Sequence, residues 1–304
     1  MLESLINILP SKLQATNAAE VKTRFAPSPT GRLHLGHIYA AKIAHDLALY
    51  LSGTYLLRFE DIDITRVKDE YYDSILDDLN FFNLSHKEAP ISQLQEDRIL
   101  SYELAINKLT ELGVTYPCFC SRKDITRELS LLTNAPHADD SNIQHYPGIC
   151  KKLTSNEISQ RLSEGKIPTI RIDADRAKEL TGSLTFTDLI HGTIEVDHHI
   201  LGDCILARRD IGTSYHLASV VDDAYQEITH VTRGDDLLES THLHRILQFL
   251  LELNEPIYLH HPLVVDNENK RLAKRAESTT IKELRNLGHS KSSLEQMINE
   301  KIQK

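Results

Sequence analysis

Arg24-Phe25-Ala26-Pro27-Ser28-Pro29-Thr30-Gly31-Arg32-Leu33-His34-Leu35-Gly36-His37 is the stretch on which the reading of this 304-residue chain turns. Residues 21–26 form a short extended run, and Pro27 and Pro29 fix the backbone where it leaves that strand. Gly31 and Gly36 permit a tight turn or the close approach of a ligand. From Ile38 onward Ile38, Ala41, Ala44, Ala48 and Leu51 recur at helical spacing, with Gly53 as the expected stop. His34 and His37 therefore fall at a helix start, where the helix dipole and the unpaired amides favour anionic phosphate. A bare His-x-x-His pair is more often packing than catalysis; the ordered punctuation around this one is what gives it weight.

Working outward, residues 54–60 read as a second strand. Strand, helix, strand is the opening of a parallel, doubly wound α/β sheet. Helical patterns follow at 68–82 and 95–112, and the pattern breaks at Tyr116-Pro117-Cys118. Polar, irregular sequence then runs to about Cys150. Strand-like runs return at 169–172 and 192–196, helix at 214–221, strand at 227–232 and helix at 237–253. The expected architecture is a Rossmann-like domain with a zinc-binding insertion and a small helical C-terminal appendix. Its bounds are an extension at 1–21, a first half at 22–113, the insertion at 114–184, a second half at 185–255, and a loop with helical appendix at 256–304.

Hydrophobic residues make up 40% of the chain and charged residues 26%, ordinary for a soluble globular protein. No apolar run reaches membrane-spanning length. Residues 1–23 lack the basic start and cleavage site of a secretory signal. Four cysteines in a chain of this length argue against a disulfide scaffold and for a reducing cytoplasm. The net charge of -10 looks wrong for a nucleic-acid partner, but binding follows local patches. Residues 266–304 carry nine Lys or Arg against six Asp or Glu.

Three further elements carry chemistry. Cys118-Phe119-Cys120 and Tyr146-Pro147-Gly148-Ile149-Cys150 offer three thiols to one ion, and zinc favours a closed tetrahedral site rich in sulfur. Tyr146 and His145 are both near enough in sequence to complete it, imidazole being the more ordinary ligand. Arg58-Phe59-Glu60-Asp61-Ile62-Asp63 brings carboxylates to the carboxyl end of the second strand, where open parallel sheets bind ligands. Asn269-Lys270-Arg271-Leu272-Ala273-Lys274-Arg275 is a basic run suited to phosphate. His191, His198 and His199 alternate across a strand, which argues against a three-histidine metal site, and Cys204 reads as core.

The stretch from Arg24 to His37, with its His-x-Gly-His element, closely resembles the signature of the glutamyl and glutaminyl branch of class I aminoacyl-tRNA synthetases. The resemblance covers about residues 22–287. It implies that His34, Gly36 and His37 bind ATP, and that Glu60 faces the α-ammonium of a bound amino acid. Tyr215, in Asp210-Ile211-Gly212-Thr213-Ser214-Tyr215-His216, and Arg233, in Thr232-Arg233-Gly234, join Arg24 and Ser28 as glutamate-binding residues. The basic run resembles the family's Lys-Met-Ser-Lys-Ser loop, which makes Lys274 the lysine that neutralises departing pyrophosphate. Arg271 keeps the charge of the first lysine. Ala273 loses a serine hydroxyl, so turnover is expected to be modest.

The cysteine element resembles the Cys-x-Cys, Tyr-x-x-x-Cys zinc site of glutamyl-queuosine tRNA(Asp) synthetases, truncated relatives of glutamyl-tRNA synthetase. That resemblance favours Tyr146 over His145, although the 25 residues between Cys120 and Tyr146 exceed the expected spacing. Residues 276–304 are too few for an anticodon-binding domain. Together these features imply a cytoplasmic, monomeric ligase with one structural Zn2+. It would use ATP with Mg2+ to form glutamyl-adenylate, then transfer glutamate to the queuosine base of tRNA(Asp). The competing expectations are a minimal synthetase charging tRNA(Glu), a nonenzymatic synthetase-like binding module, and an enzyme that glutamylates a small molecule or a protein side chain.

Overall fold

The computed structural model describes residues 21–126, 146–265 and 279–302. The extension before residue 21, the basic run with Lys274, Arg271 and Ala273, and His145 lie outside the described residues. The chain begins with strand β1 (Lys22–Phe25), helix α1 (Leu35–Tyr50), strand β2 (Thr54–Phe59), helix α2 (Asp69–Phe81) and the short strand β3 (Ile91–Ser92). β1, β2 and β3 pair in parallel, with Arg24 opposite Leu56 and Arg58 opposite Ile91. β2 is buried along nearly its whole length, as a strand covered on both faces must be. Tyr55, Leu57 and Phe59 pack into the cluster that holds α1, while Leu56 packs with Phe186, Val231 and Tyr258 on the opposite face.

The helix starts earlier than its apolar spacing indicates. His34 caps it: its Nδ1 accepts from the Gly36 amide at 3.1 Å, and the His34 amide donates to His37 Nδ1 at 3.2 Å. Each ring satisfies an amide that the first turn leaves without a partner. The expected stop is also corrected. The helix ends at Tyr50 and Ser52 takes the positive φ of 56°. Gly53 is needed for closeness instead, since a Cβ there would lie 2.5 Å from the Val21 carbonyl oxygen.

After α3 (Glu96–Glu111) the chain forms β4 (Thr115–Cys118), a short 3-10 turn at Ile149–Lys152, α4 (Ser155–Ser163), β5 (Thr169–Ile172) and α5 (Ala174–Thr181). The hairpin β6 (Thr185–Asp188) and β7 (Gly192–Glu195) follows, then β8 (Ile205–Ala207), α6 (Tyr215–Tyr225), β9 (His230–Gly234), α7 (Leu238–Leu251) and β10 (Ile257–His261). β9 and β10 pair in parallel, β10 and β6 likewise, and β6 and β7 antiparallel. The Thr229 amide donates to the Lys22 carbonyl at 3.0 Å, so β9 enters beside β1. β4, β5 and β8 form a separate antiparallel sheet.

Two segments differ from the expected division. β8, placed by the sequence in the second half, belongs to the sheet of β4 and β5. β10 carries the parallel pairing beyond residue 255, into what read as irregular sequence. The terminal helices α8 (Ile281–Asn286) and α9 (Lys291–Lys301) form the helical C-terminal part and pack onto the helices of the first sheet. Ile281, Leu284, Leu294 and Ile298 are buried in the cluster around α1. Among the described residues no helix is long and apolar enough to cross a membrane.

Candidate active site

Arg24, Ser28, His34, Gly36, His37, Glu60, Tyr215 and Arg233 line one cavity of about 420 Å³. They come from β1, the turn after it, the start of α1, the end of β2, the start of α6 and the end of β9. The cavity therefore opens at the carboxyl ends of the parallel strands, where ligands bind in such sheets. Of the nine residues singled out along the sequence for ATP or glutamate, eight meet there, and the ninth, Lys274, lies outside the described residues. Gly36 sits tightly against the His34 ring, with 3.1 Å between a would-be Cβ and His34 Cε1. A side chain there would push the ring out of its capping position. With Nδ1 of both rings accepting from amides, a neutral His34 or His37 carries its proton on Nε2. That arrangement places donors and a helix N-terminus together, the chemistry that holds phosphate.

Two arginines reach this cavity, and each is anchored. Arg24 forms a fork with Asp223, Nε to Oδ1 at 2.8 Å and Nη2 to Oδ2 at 3.1 Å, while Nη1 donates to the Thr232 carbonyl at 3.1 Å. Asp223 also accepts from Arg58 Nη1 at 2.7 Å, and Arg58 is wholly buried. Burial alone would raise the Asp223 carboxyl, but the charges of Arg24 and Arg58 hold it below the usual range. Neighbouring Asp222 is pushed up by burial, partly opposed by Arg58 and by hydrogen bonds from Gln93 and Tyr102. Glu60 is likewise raised by burial, against the pull of Arg58 and Arg24. A carboxylate with that history gains most when an ammonium arrives.

Arg233 is held differently. Its Nε donates to His260 Nε2 and its Nη1 to His244 Nδ1, both at 3.2 Å, and its Nη2 donates to Thr241 Oγ1. Among the described residues no hydrogen bond or ion pair joins it to a carboxylate. It also acts on the phenol of Tyr215, which burial raises and Arg233 lowers.

The sequence reading missed most of this supporting shell. Arg58, Asp222, Asp223, Asp188, His244 and His260 were assigned no role. One signal was available: a charge set within an apolar run, as in Leu56-Leu57-Arg58-Phe59 or Val220-Val221-Asp222-Asp223, marks a buried ion pair when both elements are core. None of His191, His198 and His199 lies in β7, so the expected alternation across a strand does not hold: His191 meets Asp235, His198 meets Thr181 and His199 is exposed.

A second, larger cavity of about 810 Å³ shares Ser28, Glu60 and Tyr215 with the first. It extends past Arg66, Asp63, Arg208 and Arg171 to Tyr146. There the thiols of Cys118, Cys120 and Cys150 place their sulfurs within 4.8 Å of one another. Tyr146 Oη lies 3.4 Å from both Cys118 Sγ and Cys120 Sγ and accepts from the Cys150 amide at 2.8 Å. A tetrahedron with metal–sulfur bonds of about 2.3 Å has edges of about 3.8 Å, so the donor set could hold zinc. Burial opposes ionisation of Cys118, but hydrogen bonds from Tyr146, Arg171 and the Cys120 backbone lower its thiol overall. Burial pushes Cys120 up to about 12. Arg171 stacks over the Tyr146 ring at 3.8 Å and fixes its place.

Residues 20–300 match the family described as tRNA synthetases class I (E and Q), catalytic domain. The chain belongs to that family. It is 41% identical over 281 residues to the glutamyl-Q tRNA(Asp) synthetase of Rhodobacter capsulatus, covering 91% of this chain and 99% of that protein. It is 38% identical to the glutamyl-Q tRNA(Asp) synthetase of Nitratidesulfovibrio vulgaris, over 88% of this chain and 82% of the relative. Among solved structures, a glutamate tRNA ligase from Elizabethkingia meningosepticum in complex with its amino acid superposes with a TM-score of 0.68 at 25% identity. That match takes in 89% of this chain and 53% of the ligase. This synthetase-family chain thus has mixed α/β content and a cysteine triplet beside its cavities.

Proposed function

We propose that the chain is a glutamyl-queuosine tRNA(Asp) synthetase: it activates L-glutamate with ATP and transfers the glutamyl group to the queuosine base of tRNA(Asp). The observation that carries this reading is the convergence of Arg24, Ser28, Glu60, Tyr215 and Arg233 with the His34–His37 helix start on one cavity. High similarity to proteins named for that activity supports it. Glutamate lies with its α-ammonium against Glu60 and its side-chain carboxylate toward Arg233, with Arg24 behind. ATP places its phosphates at the start of α1. An oxygen of the glutamate α-carboxylate attacks the α-phosphorus, the bond to the bridging oxygen breaks, and pyrophosphate leaves. Hydrogen bonds from the His34 and His37 rings and the positive end of α1 stabilise charge where it grows.

Lys274 is assigned to the departing pyrophosphate. The described flanks support this, because Val264 lines the cavity and Thr280 pairs with His34. Mg2+ supplies charge neutralisation to the phosphates when bound. The larger cavity takes the acceptor nucleoside, since it adjoins the amino-acid site through Ser28, Glu60 and Tyr215. A queuosine hydroxyl attacks the activated carbonyl carbon, its proton is lost, and AMP leaves. Cys118, Cys120, Tyr146 and Cys150 hold one structural Zn2+, which braces the far wall of that cavity. We read the β1–β2–β3 and β7–β6–β10–β9 sheets as the halves of one Rossmann-like domain, and the β4–β5–β8 sheet as the core of the metal-binding insertion.

The test is transfer of labelled glutamate to purified tRNA(Asp), with and without queuosine, beside tRNA(Glu). Labelling confined to queuosine-bearing tRNA(Asp) is the expected result. Labelling of tRNA(Glu) instead would make the chain a minimal synthetase.

A further inference from the structure

Behind Arg233 runs a chain of buried polar groups. His260 Nδ1 lies 2.7 Å from Asp188 Oδ2, and neither side chain has any exposed surface. On its other edge, His260 Nε2 meets Arg233 Nε at 3.2 Å and Thr241 Oγ1 at 2.9 Å. An arginine can only donate, so Nε2 must present its lone pair and the proton must sit on Nδ1, directed at Asp188. The same logic fixes the next ring. His244 Nδ1 accepts from Arg233 Nη1, which leaves Nε2–H to donate to His216 Nδ1 at 3.2 Å. Burial, helped by the neighbouring Arg233 charge, keeps His244 well below its ordinary pKa, and His260 is lowered by burial despite Asp188. Both imidazoles are therefore neutral acceptors.

We infer that His260, fixed in one tautomer by Asp188, is a positioning residue that aims the Arg233 guanidinium and keeps its charge for the side-chain carboxylate of the amino-acid substrate. The inference rests on the reading of the cavity as a glutamate site. A carboxylate in place of His260 would hold the guanidinium as firmly but would neutralise it. A neutral acceptor orients the fork and leaves its positive charge uncompensated until substrate binds. Discrimination of glutamate from glutamine depends on that surplus, because an amide returns no charge.

Glutamate-dependent ATP–pyrophosphate exchange separates the outcomes, measured on the full chain as wild type, His260→Leu and His260→Gln. His260→Leu is expected to raise KM for glutamate about tenfold or more, with kcat within about threefold and KM for ATP within about twofold. Its preference for glutamate over glutamine should fall by about tenfold. His260→Gln places Oε1 where Nε2 stood and should recover most of both. Unchanged KM for glutamate, or equal rises in both KM values, would overturn the inference.

A second measurement needs no activity: ¹⁵N shifts of the histidine rings in the wild-type chain, with the His260 signals identified by their loss in His260→Gln. A neutral ring protonated at Nδ1 is expected, and protonation at Nε2 or at both nitrogens would refute the assignment. If wild type showed no glutamate-dependent exchange, the glutamate reading would fail while the ring spectrum still decided whether Asp188 and His260 fix Arg233 as inferred.

Discussion

Arg24 and Arg233 approach one cavity from neighbouring strands, yet opposite chemistry holds them. Arg24 is locked by the Asp223 carboxylate, which it shares with the fully buried Arg58. Arg233 is held by two imidazoles and a hydroxyl. The first arrangement is an internal ion network, in which attraction offsets the cost of burying charge. The second, among the described residues, leaves a buried cation short of an anion. An arginine of the first kind makes a wall; one of the second kind makes a binding site. Residue type and burial, similar for the two, do not tell them apart, and the partner does.

The largest expected effect breaks the first side. Asp223→Asn leaves Arg24 and Arg58 buried without their shared carboxylate and should cost about 3–5 kcal/mol, read as a lower urea midpoint. Loss of stability no greater than that of an exposed-site variant would mean that solvent reaches the network. Next, Arg233→Gln should lower kcat/KM for glutamate in the exchange reaction on the order of 100-fold while moving Tm little, since its neighbours are neutral. The opposite pattern, a large fall in Tm with KM for glutamate preserved, would erase the distinction between the two arginines.

Acid titration should separate the buried histidines of β9 and β10 from the Asp223 network in sequence. His230 and His261 are held near 4 by burial, below their ordinary value, so the unfolded chain binds more protons than the native one between about pH 6.5 and 4. Stability is thus complete above that window and falls as pH drops through it, by up to about 1.4 kcal/mol per pH unit for each ring. Asp223, held below its usual range, keeps its contribution until pH falls beneath the ordinary carboxylate value. Denaturation midpoints that stay flat from pH 7 to 5 would mean that burial does not hold His230 and His261 neutral. The smallest effect concerns metal removal. Cys150→Ser should abolish zinc binding, measured by metal analysis, and impair transfer to tRNA, yet change glutamate-dependent exchange by less than about twofold because the arginines stand at the other cavity.

Much of the site was legible because its residues sit in continuous motifs. The turn from Arg24 to His37, the end of β2 and the start of α6 each present a punctuated local pattern, and their side chains do meet. The supporting groups were not legible, since their partners are remote in sequence. Arg24 and Asp223 are 199 positions apart, and Asp188 and His260 are 72 apart. β10 was missed because Leu259-His260-His261 looks too polar for a central strand, although His260 is paired with Asp188 and His261 Nδ1 meets the Pro262 carbonyl. β4 was read as a break because of Pro117, but β4 is an edge strand, where a missing amide is tolerated.

Asp188 has a consequence for how the chain reaches this state. One carboxylate takes the amides of Ile190 and His191 in its own hairpin turn, and also the amide and ring of His260 in β10. The hairpin can form by itself, but half of those bonds wait for a segment 72 residues later, and closing so long a loop costs on the order of 4 kcal/mol. The anchor of Arg233 is therefore a late, long-range event in folding. In pulse-labelling hydrogen exchange, the amide of His260 should gain protection after those of Ile190 and His191.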